Sequence, residues 1–347
     1  MRRSPLHDLN ADLGARLVDF GGWEMPVQYE SVLAEHRAVR RSAGWFDVSH
    51  LGRFSIEGPG ALETLRALLS NDVATLAVGR TQYTLLLNES GGIDDDLLVW
   101  RWSEERFWVM PNAGTHDMVL ARFRAAAPDT DLDDLRSRTA MVAVQGPGAP
   151  AILEKLLGRW PKRFTTDTFG EGENLLWAAG TGYTGERGGE LVGSPEAVAD
   201  VIGQLVAAGV TSCGLGSRDT LRLEAGLLLA GQDFDSNTNP YEAGLESAIA
   251  WDHDFVGRKA LEAVRKDGPG KKLVAFTLPG RLIPRHGHRL RSGGSQGEVT
   301  SGNFSPMLEN GMGLGYLAPP SVDDPLDVEI RGVWERATRA ETPFYRR

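Results

Sequence analysis

Three consecutive acids, Asp94, Asp95 and Asp96, follow the Gly91-Gly92 pair and lead into the apolar run Leu97-Leu-Val-Trp100. Crowded carboxylates raise one another's pKa, so such a triplet is either a solvated turn or a group that handles protons. Strand alternation places Asp96 on the face of Leu98 and Trp100, with Asp95 pointing the other way. An acid leading an apolar face is partly desolvated, which suits proton transfer. The second acidic feature is Glu190, which follows Gly188-Gly189 and leads Leu191-Val192. Glycines there allow close approach to a flat ligand; the plain alternative is a strand-end Glu in a turn.

Other motifs carry less. His286-Gly-His288 has two imidazoles but no nearby carboxylate or third His, so a β-turn accounts for it better than a metal site. Asp233-Phe-Asp-Ser-Asn237 is spaced like the start of a calcium loop, but the sharp-turn Gly and the closing Glu are missing. Two Gly-Pro-Gly loops, at Glu57–Ala61 and Gln145–Ala149, lack the Lys-Ser/Thr that a phosphate-binding loop needs.

Those loops form an internal repeat. Each follows a short apolar strand, Arg53–Ile56 or Met141–Val144, and precedes leucines at matching offsets: Leu65, Leu68 and Leu69 in one, Leu153, Leu156 and Leu157 in the other. The pattern predicts strand, turn and amphipathic helix. Looser copies run from Glu190 to Leu205 and from Trp108 to Phe123. Between the repeats, Tyr83–Leu87, Asp96–Trp102 and Arg106–Met110 predict an antiparallel meander that would position the acids. Phe20-Gly-Gly-Trp-Glu-Met-Pro26 predicts a turn flanked by bulky side chains, and Glu35–Arg41 a short helix. The Gly-rich segment Thr181–Glu190 precedes a helix beginning near Ser217, a plausible N-cap. After the Pro/Gly and charge cluster Lys266–Lys272, six short strands between residues 272 and 338 predict a small closed or sandwiched β-domain.

The bulk numbers agree with a soluble multidomain protein. A chain of 347 residues is long for one core, and 41% hydrophobic residues suffice to bury several. The net charge of -10 disfavours sequence-independent nucleic-acid binding and gives no attraction to anionic membranes. One cysteine, Cys213, precludes an intrachain disulfide or a Cys-based zinc site. With no membrane-length apolar run and no signal core after Met1-Arg-Arg, the expectation is cytoplasmic.

Taken together, Phe20–Tyr29, Phe46–His50, Asn88–Leu98, Gly182–Glu186, Arg218–Gly226 and Val299–Pro306 resemble, in order, the aminomethyltransferase (T-protein) family of the glycine cleavage system, within the folate-binding superfamily. The resemblance implies an α+β, three-domain cloverleaf: two interleaved α/β domains with largely antiparallel sheets, plus a C-terminal β-barrel. The expected divisions are 1–50 with 137–240, 51–136 with 241–268, and 269–347. It implies tetrahydrofolate as co-substrate, no metal, and the lipoylated H-protein as partner. The products would be methylenetetrahydrofolate, ammonia and the dihydrolipoyl arm.

The family's essential aspartate aligns with Asp96, and its pterin-binding glutamate with Glu190. Arg218, Tyr83, Asn112 and Tyr345 align with ligand-associated positions. Three departures stand out: Arg187 where the family usually has Asp, Gly189 where it has a bulky apolar residue, and Asn303 for a common Thr. The alternatives are a folate-dependent demethylase of a small methylated compound on the same fold, or a non-catalytic folate-binding protein. The helper proteins of that last kind carry a cysteine motif unlike Ser212-Cys-Gly-Leu-Gly216.

Overall fold

The computed structural model describes residues 1–127, 130–321 and 325–347. By internal contacts the chain divides into two compact units. One comprises Met1–Ala67, Asp72–Thr84 and Leu97–Asp219; the other Leu68–Asn71, Leu85–Asp96 and Thr220–Arg347.

The first unit is built on a six-stranded sheet. Its order is Thr166–Phe169, Leu176–Ala179, Gly188–Gly193, Ala140–Gln145, Gly44–Asp47 and Thr211–Ser212. Every pairing is antiparallel except the last. Ala140–Gln145 is buried at all positions, as expected of a continuous apolar strand flanked on both sides. Helix Pro195–Ala207 follows the strand that bears Glu190. Ser194 caps it by accepting the Ala197 N–H at 3.1 Å, and Pro195 occupies the first turn, where its missing N–H costs nothing. Val198, Val201, Ile202 and Leu205 share the i, i+3, i+4, i+7 face and pack with Leu153, Leu191 and Val142 in one core. Each such side chain contributes about 1.5–3 kcal/mol through burial, so a charge at Ile202 would break the contact.

A five-stranded sheet has the order Arg80–Leu87, Ile93–Arg101, Arg106–Met110, Phe54–Glu57 and Asp131–Asp134. The predicted meander and both Gly-Pro-Gly strand–helix connections are present, with helices at Ala61–Leu68 and Ala149–Leu157. Within the first unit Trp100 stacks on Trp108 at 6.0 Å, and Trp108 meets Trp177 at 5.0 Å. A smaller sheet pairs Trp23–Gln28 with Arg16–Phe20 and with Arg2–Arg3.

The second unit contains the closed barrel of Lys272–Leu278, Asn310–Ala318, Ser295–Ser305, Arg289–Ser292, Leu326–Ile330 and Val333–Ala340. Phe276, Leu290, Val299, Leu317 and Val328 fill it. A bulge at Thr300 lets two hydroxyls of one strand reach the same acid. Thr300 donates to Asp233 Oδ1 at 2.5 Å and Ser301 to Oδ2 at 2.9 Å. Arg222 completes this buried network with an ion pair to Asp233 at 2.7 Å. The carboxylate heading the calcium-like stretch is therefore engaged structurally.

Two local expectations are corrected. The Asp triplet is not part of the turn: the paired strand begins at Ile93, so all three acids are strand residues. Ser217 is not an N-cap, because its helix starts at Leu215. Its hydroxyl instead donates to Glu35 Oε2 at 3.0 Å.

Candidate functional site

Glu190 sits on a central strand between Ala143 and Ala179, whose small side chains leave space beside it. The Glu190 side chain is 4% exposed. Thr181 donates its hydroxyl to Oε2 at 2.6 Å. Burial raises the carboxyl pKa, and the Thr181 hydrogen bond and the Arg218 charge oppose that rise. Arg218 is also buried, on helix Leu215–Glu224, with its guanidinium 4.9 Å from the Tyr183 ring centre. Burial pulls its pKa down while Glu190 and Tyr183 favour the charge. Arg218 Nη1 has no hydrogen-bond partner within the protein. A buried carboxylate beside a guanidinium with a spare donor suits a flat polar ligand that offers adjacent N–H groups and an acceptor.

The sequence builds a frame around this pair. The Glu35 carboxylate accepts the N–H groups of Tyr29 at 2.7 Å, Glu30 at 3.2 Å and Gly214 at 2.9 Å. It thereby ties helix Val32–Arg41 to the start of the helix that carries Arg218. Gln145, from the second Gly-Pro-Gly motif, donates to Thr181 O at 3.1 Å and accepts the Thr184 hydroxyl at 2.7 Å. Arg40 holds the same loop through Thr184 O at 2.8 Å and Glu186 at 3.0 Å. The repeat's polar residue is therefore a loop anchor.

Gly189 explains itself by packing. A Cβ there would lie 2.2 Å from Ala179 O and 2.4 Å from Trp160 Cζ2. Trp160, which donates to Gly188 O at 3.3 Å, occupies the volume of the missing side chain. Arg187 is exposed, and its backbone carbonyl accepts the Gly146 N–H at 2.8 Å.

The Asp strand enters from a clamped turn in the second unit. Asn88 Oδ1 accepts the N–H groups of Ser90 and Gly92, each at 3.0 Å, while Nδ2 donates to Ser236 O at 2.9 Å. A Cβ on Gly92 would lie 1.9 Å from Ser236 O, so the turn requires glycine there. Alternation holds along the strand, but the buried face is the opposite one. Asp95 is 0% exposed, with Leu97 and Val99 on its side, whereas Asp96 and Leu98 are half-buried. Desolvation therefore does not single out Asp96, and the more open face holds Asp94 as well.

Tyr83 is half-buried on strand Arg80–Leu87. Asn112 follows strand Arg106–Met110, and its carbonyl accepts the His116 N–H at 3.1 Å. Glu190 and Arg218 both lie in the first unit, where each charge favours the other's ionised form; Asp96 and Tyr345 belong to the second. There the Tyr345 N–H reaches Glu224 O at 3.3 Å. Thr181 and Tyr183 went unread in the sequence, although both lie in the Gly-rich segment leading to Glu190. Residues two apart on a bent loop give no periodic signal.

Residues 6–253 match the GCVT N-terminal domain, and residues 271–346 match the glycine cleavage T-protein C-terminal barrel domain. This chain belongs to the glycine cleavage T-protein family. It is 43% identical over 366 residues to an aminomethyltransferase of Symbiobacterium thermophilum, covering 100% of this chain and 98% of that one. It is 44% identical over 359 residues to an aminomethyltransferase of Rubrobacter xylanophilus, covering 100% and 95%. The crystal structure of glycine cleavage system aminomethyltransferase T from Bartonella henselae superposes with a TM-score of 0.92 at 32% identity, over 99% of this chain and 98% of that one. T-protein membership agrees with the mixed α/β sheets and the terminal barrel.

Proposed function

We infer that the chain is an aminomethyltransferase of glycine breakdown. It passes the one-carbon unit of the aminomethyl-lipoyl H-protein to tetrahydrofolate, giving 5,10-methylenetetrahydrofolate, ammonia and dihydrolipoyl H-protein. The observation that carries this reading is likeness to aminomethyltransferases along the whole chain, with the buried Glu190–Arg218 pair intact.

Tetrahydrofolate supplies the two nitrogens that capture the carbon. Glu190 accepts the adjacent N–H donors of the pterin ring, and Arg218 donates its spare N–H to the same ring. Family alignment assigns Tyr83, Asn112 and Tyr345 to folate contacts. It assigns to Asp96 the proton movement that loss of ammonia requires, a task a carboxylate performs by orienting the reacting nitrogen. The roles of these six residues rest on family alignment and on the local geometry described for each.

We divide the chain into three domains, 1–50 with 137–240, 51–136 with 241–268, and 269–347; the six-stranded sheet, the five-stranded sheet and the closed barrel, one in each, support that reading. Among the described residues no helix is long and apolar enough to cross a membrane, and no cluster of three or more His, Cys, Asp or Glu side chains is arranged to hold a metal. We place the protein in the cytoplasm, working without a metal or a nucleic-acid partner.

A folate-dependent demethylase would share the fold and the aspartate. The test is purified protein with tetrahydrofolate and aminomethylated H-protein, following ammonia. Release that requires both substrates supports transfer. Transfer of a methyl group from a small methylated compound to tetrahydrofolate, giving 5-methyltetrahydrofolate, with no carbon taken from H-protein, would favour the demethylase.

A further inference from the structure

Tyr345 stands in a tail, Glu341–Arg347, that follows the last barrel strand and forms neither helix nor strand. The C-terminal ends of two sequence motifs, Arg218–Gly226 and Val299–Pro306, meet around this tail within the second unit. Helix Leu215–Glu224 stops there in a left-handed cap. Leu227 donates its N–H to Arg222 O and Gly226 its N–H to Leu223 O, each at 2.9 Å, with Gly226 at φ 70°. A Cβ on Gly226 would lie 2.3 Å from Thr342 Cβ, so glycine serves the cap and also admits the tail.

Glu224 joins the same pieces. Its backbone carbonyl accepts the Tyr345 N–H at 3.3 Å. Its side chain is buried, and the carboxylate accepts the Ser305 hydroxyl and, at 3.3 Å, the Met307 N–H. Between the Thr342 and Tyr345 contacts, half-buried Phe344 packs against the apolar cluster of Leu223, Met312 and Leu314. The start of the tail has less behind it: Ala340, Glu341 and Thr342 line a cavity of about 430 Å3 together with Leu228, Leu245 and Leu273. The tail is thus held at three points, the Gly226 approach, the Phe344 ring and the Glu224 carbonyl.

We propose that Phe344 is a positioning residue for aminomethyl transfer: by seating the tail between Gly226 and Glu224, its ring holds Tyr345 ordered before folate arrives. Contacts that order a segment in advance spare the ligand the entropy of ordering it, which strengthens binding without touching the chemical step. This inference rests on the proposed folate contact of Tyr345.

The experiment compares Tyr345→Ala, Phe344→Ala, Phe344→Leu and the Phe344→Ala/Tyr345→Ala double variant in the full chain, each first checked for folding by thermal melting. Tetrahydrofolate affinity is read by calorimetry, with KM and kcat for aminomethyl transfer. Expected is a roughly fivefold loss of folate affinity in Phe344→Ala, seen in KM more than kcat, with recovery to within roughly twofold in Phe344→Leu, which keeps an apolar anchor. The double variant should bind no more weakly than Tyr345→Ala, because Phe344 acts through Tyr345. Gly226→Ala, which pushes on Thr342, should weaken binding as Phe344→Ala does. Wild-type affinity in Phe344→Ala beside weak binding in Tyr345→Ala would overturn the proposal and leave the folate contact standing. Multiplied losses in the double variant would overturn it as well, since a ring that only stabilises the barrel acts independently of Tyr345. If Tyr345→Ala bound folate as the wild type does, the contact itself would fall, and the role of Phe344 with it.

Discussion

Glu190→Gln should move binding and stability in opposite directions. The buried carboxylate accepts one hydroxyl within the protein, from Thr181, and in the proposed folate site its remaining acceptor capacity serves the ligand. In the Gln variant the amide oxygen keeps Thr181, but the NH2 group opposes a ligand N–H. The loss of one hydrogen bond to a charged acceptor is about 1.5–3 kcal/mol, or roughly 10- to 150-fold in Kd. Glu190→Ala leaves both ligand donors unpaired and should cost about 2–4 kcal/mol of binding. The stability sign is the reverse. Because burial raises the folded-state pKa of Glu190, the unfolded chain loses this proton more readily. Stability therefore falls as pH rises from the unfolded pKa through the folded one. Gln removes that penalty, so the unliganded variant should melt at the wild-type temperature or above at neutral pH. Calorimetry with tetrahydrofolate and a melt of the free protein read the two effects separately. Unchanged folate affinity would refute the pterin role. A large drop in melting temperature would refute the claim that the carboxylate is held at a cost to the fold.

Four further outcomes are expected. Asp96→Asn should fold and bind folate but lose about 100-fold or more in kcat, the scale of a proton-handling group; full turnover would remove Asp96 from the chemistry. Glu35→Ala leaves three backbone N–H groups without their acceptor and should lose about 3 kcal/mol or more by urea denaturation, whereas an unchanged midpoint would show that water replaces the carboxylate. Burial and the charges of Arg218 and Arg53 hold His50 at a pKa of about 3 against an ordinary 6.5, so its contribution is present above about pH 6.5 and is lost as pH falls toward 3. Wild type should therefore lose about 2–3 kcal/mol more than His50→Asn between pH 6 and pH 4, and parallel pH profiles would contradict the depressed pKa. Gly189→Val should destabilise by clashing with Ala179 O and Trp160, and Gly189→Val with Trp160→Ala should recover part of the loss; strict additivity would deny the exchange of volume.

Local pattern carried far because most elements here are locally consistent. The Gly-Pro-Gly repeats, the meander and the barrel strand Lys272–Leu278 stand where periodicity placed them. The errors arose where a tertiary partner decided the outcome. Ser217 reads as a cap, but Glu35, 182 positions away, takes over the end of that helix. The Asp triplet reads as a turn, but Ser236 and Thr238 close the turn earlier and pull the acids into the strand, where Ile93 donates to Thr238 O at 3.0 Å. Alternation separated Asp95 from Asp96 correctly, yet periodicity cannot say which face of a strand is covered. Glu190 stands out in the sequence beside its glycines, but those glycines pack against Val144, Ala179 and Trp160; the Thr181 hydroxyl on the Glu190 carboxylate and the Tyr183 ring under Arg218 depend on loop geometry that no spacing encodes.

The central claim is aminomethyl transfer, and its most direct measurement is single-turnover formation of methylenetetrahydrofolate from aminomethylated H-protein and tetrahydrofolate, with ammonia counted in parallel. The account predicts one methylenetetrahydrofolate and one ammonia per aminomethyl group consumed, abolished by omitting either substrate and slowed in Asp96→Asn. Ammonia release at the same rate without tetrahydrofolate, or no product from aminomethylated H-protein while a small methylated amine is turned over, would contradict it.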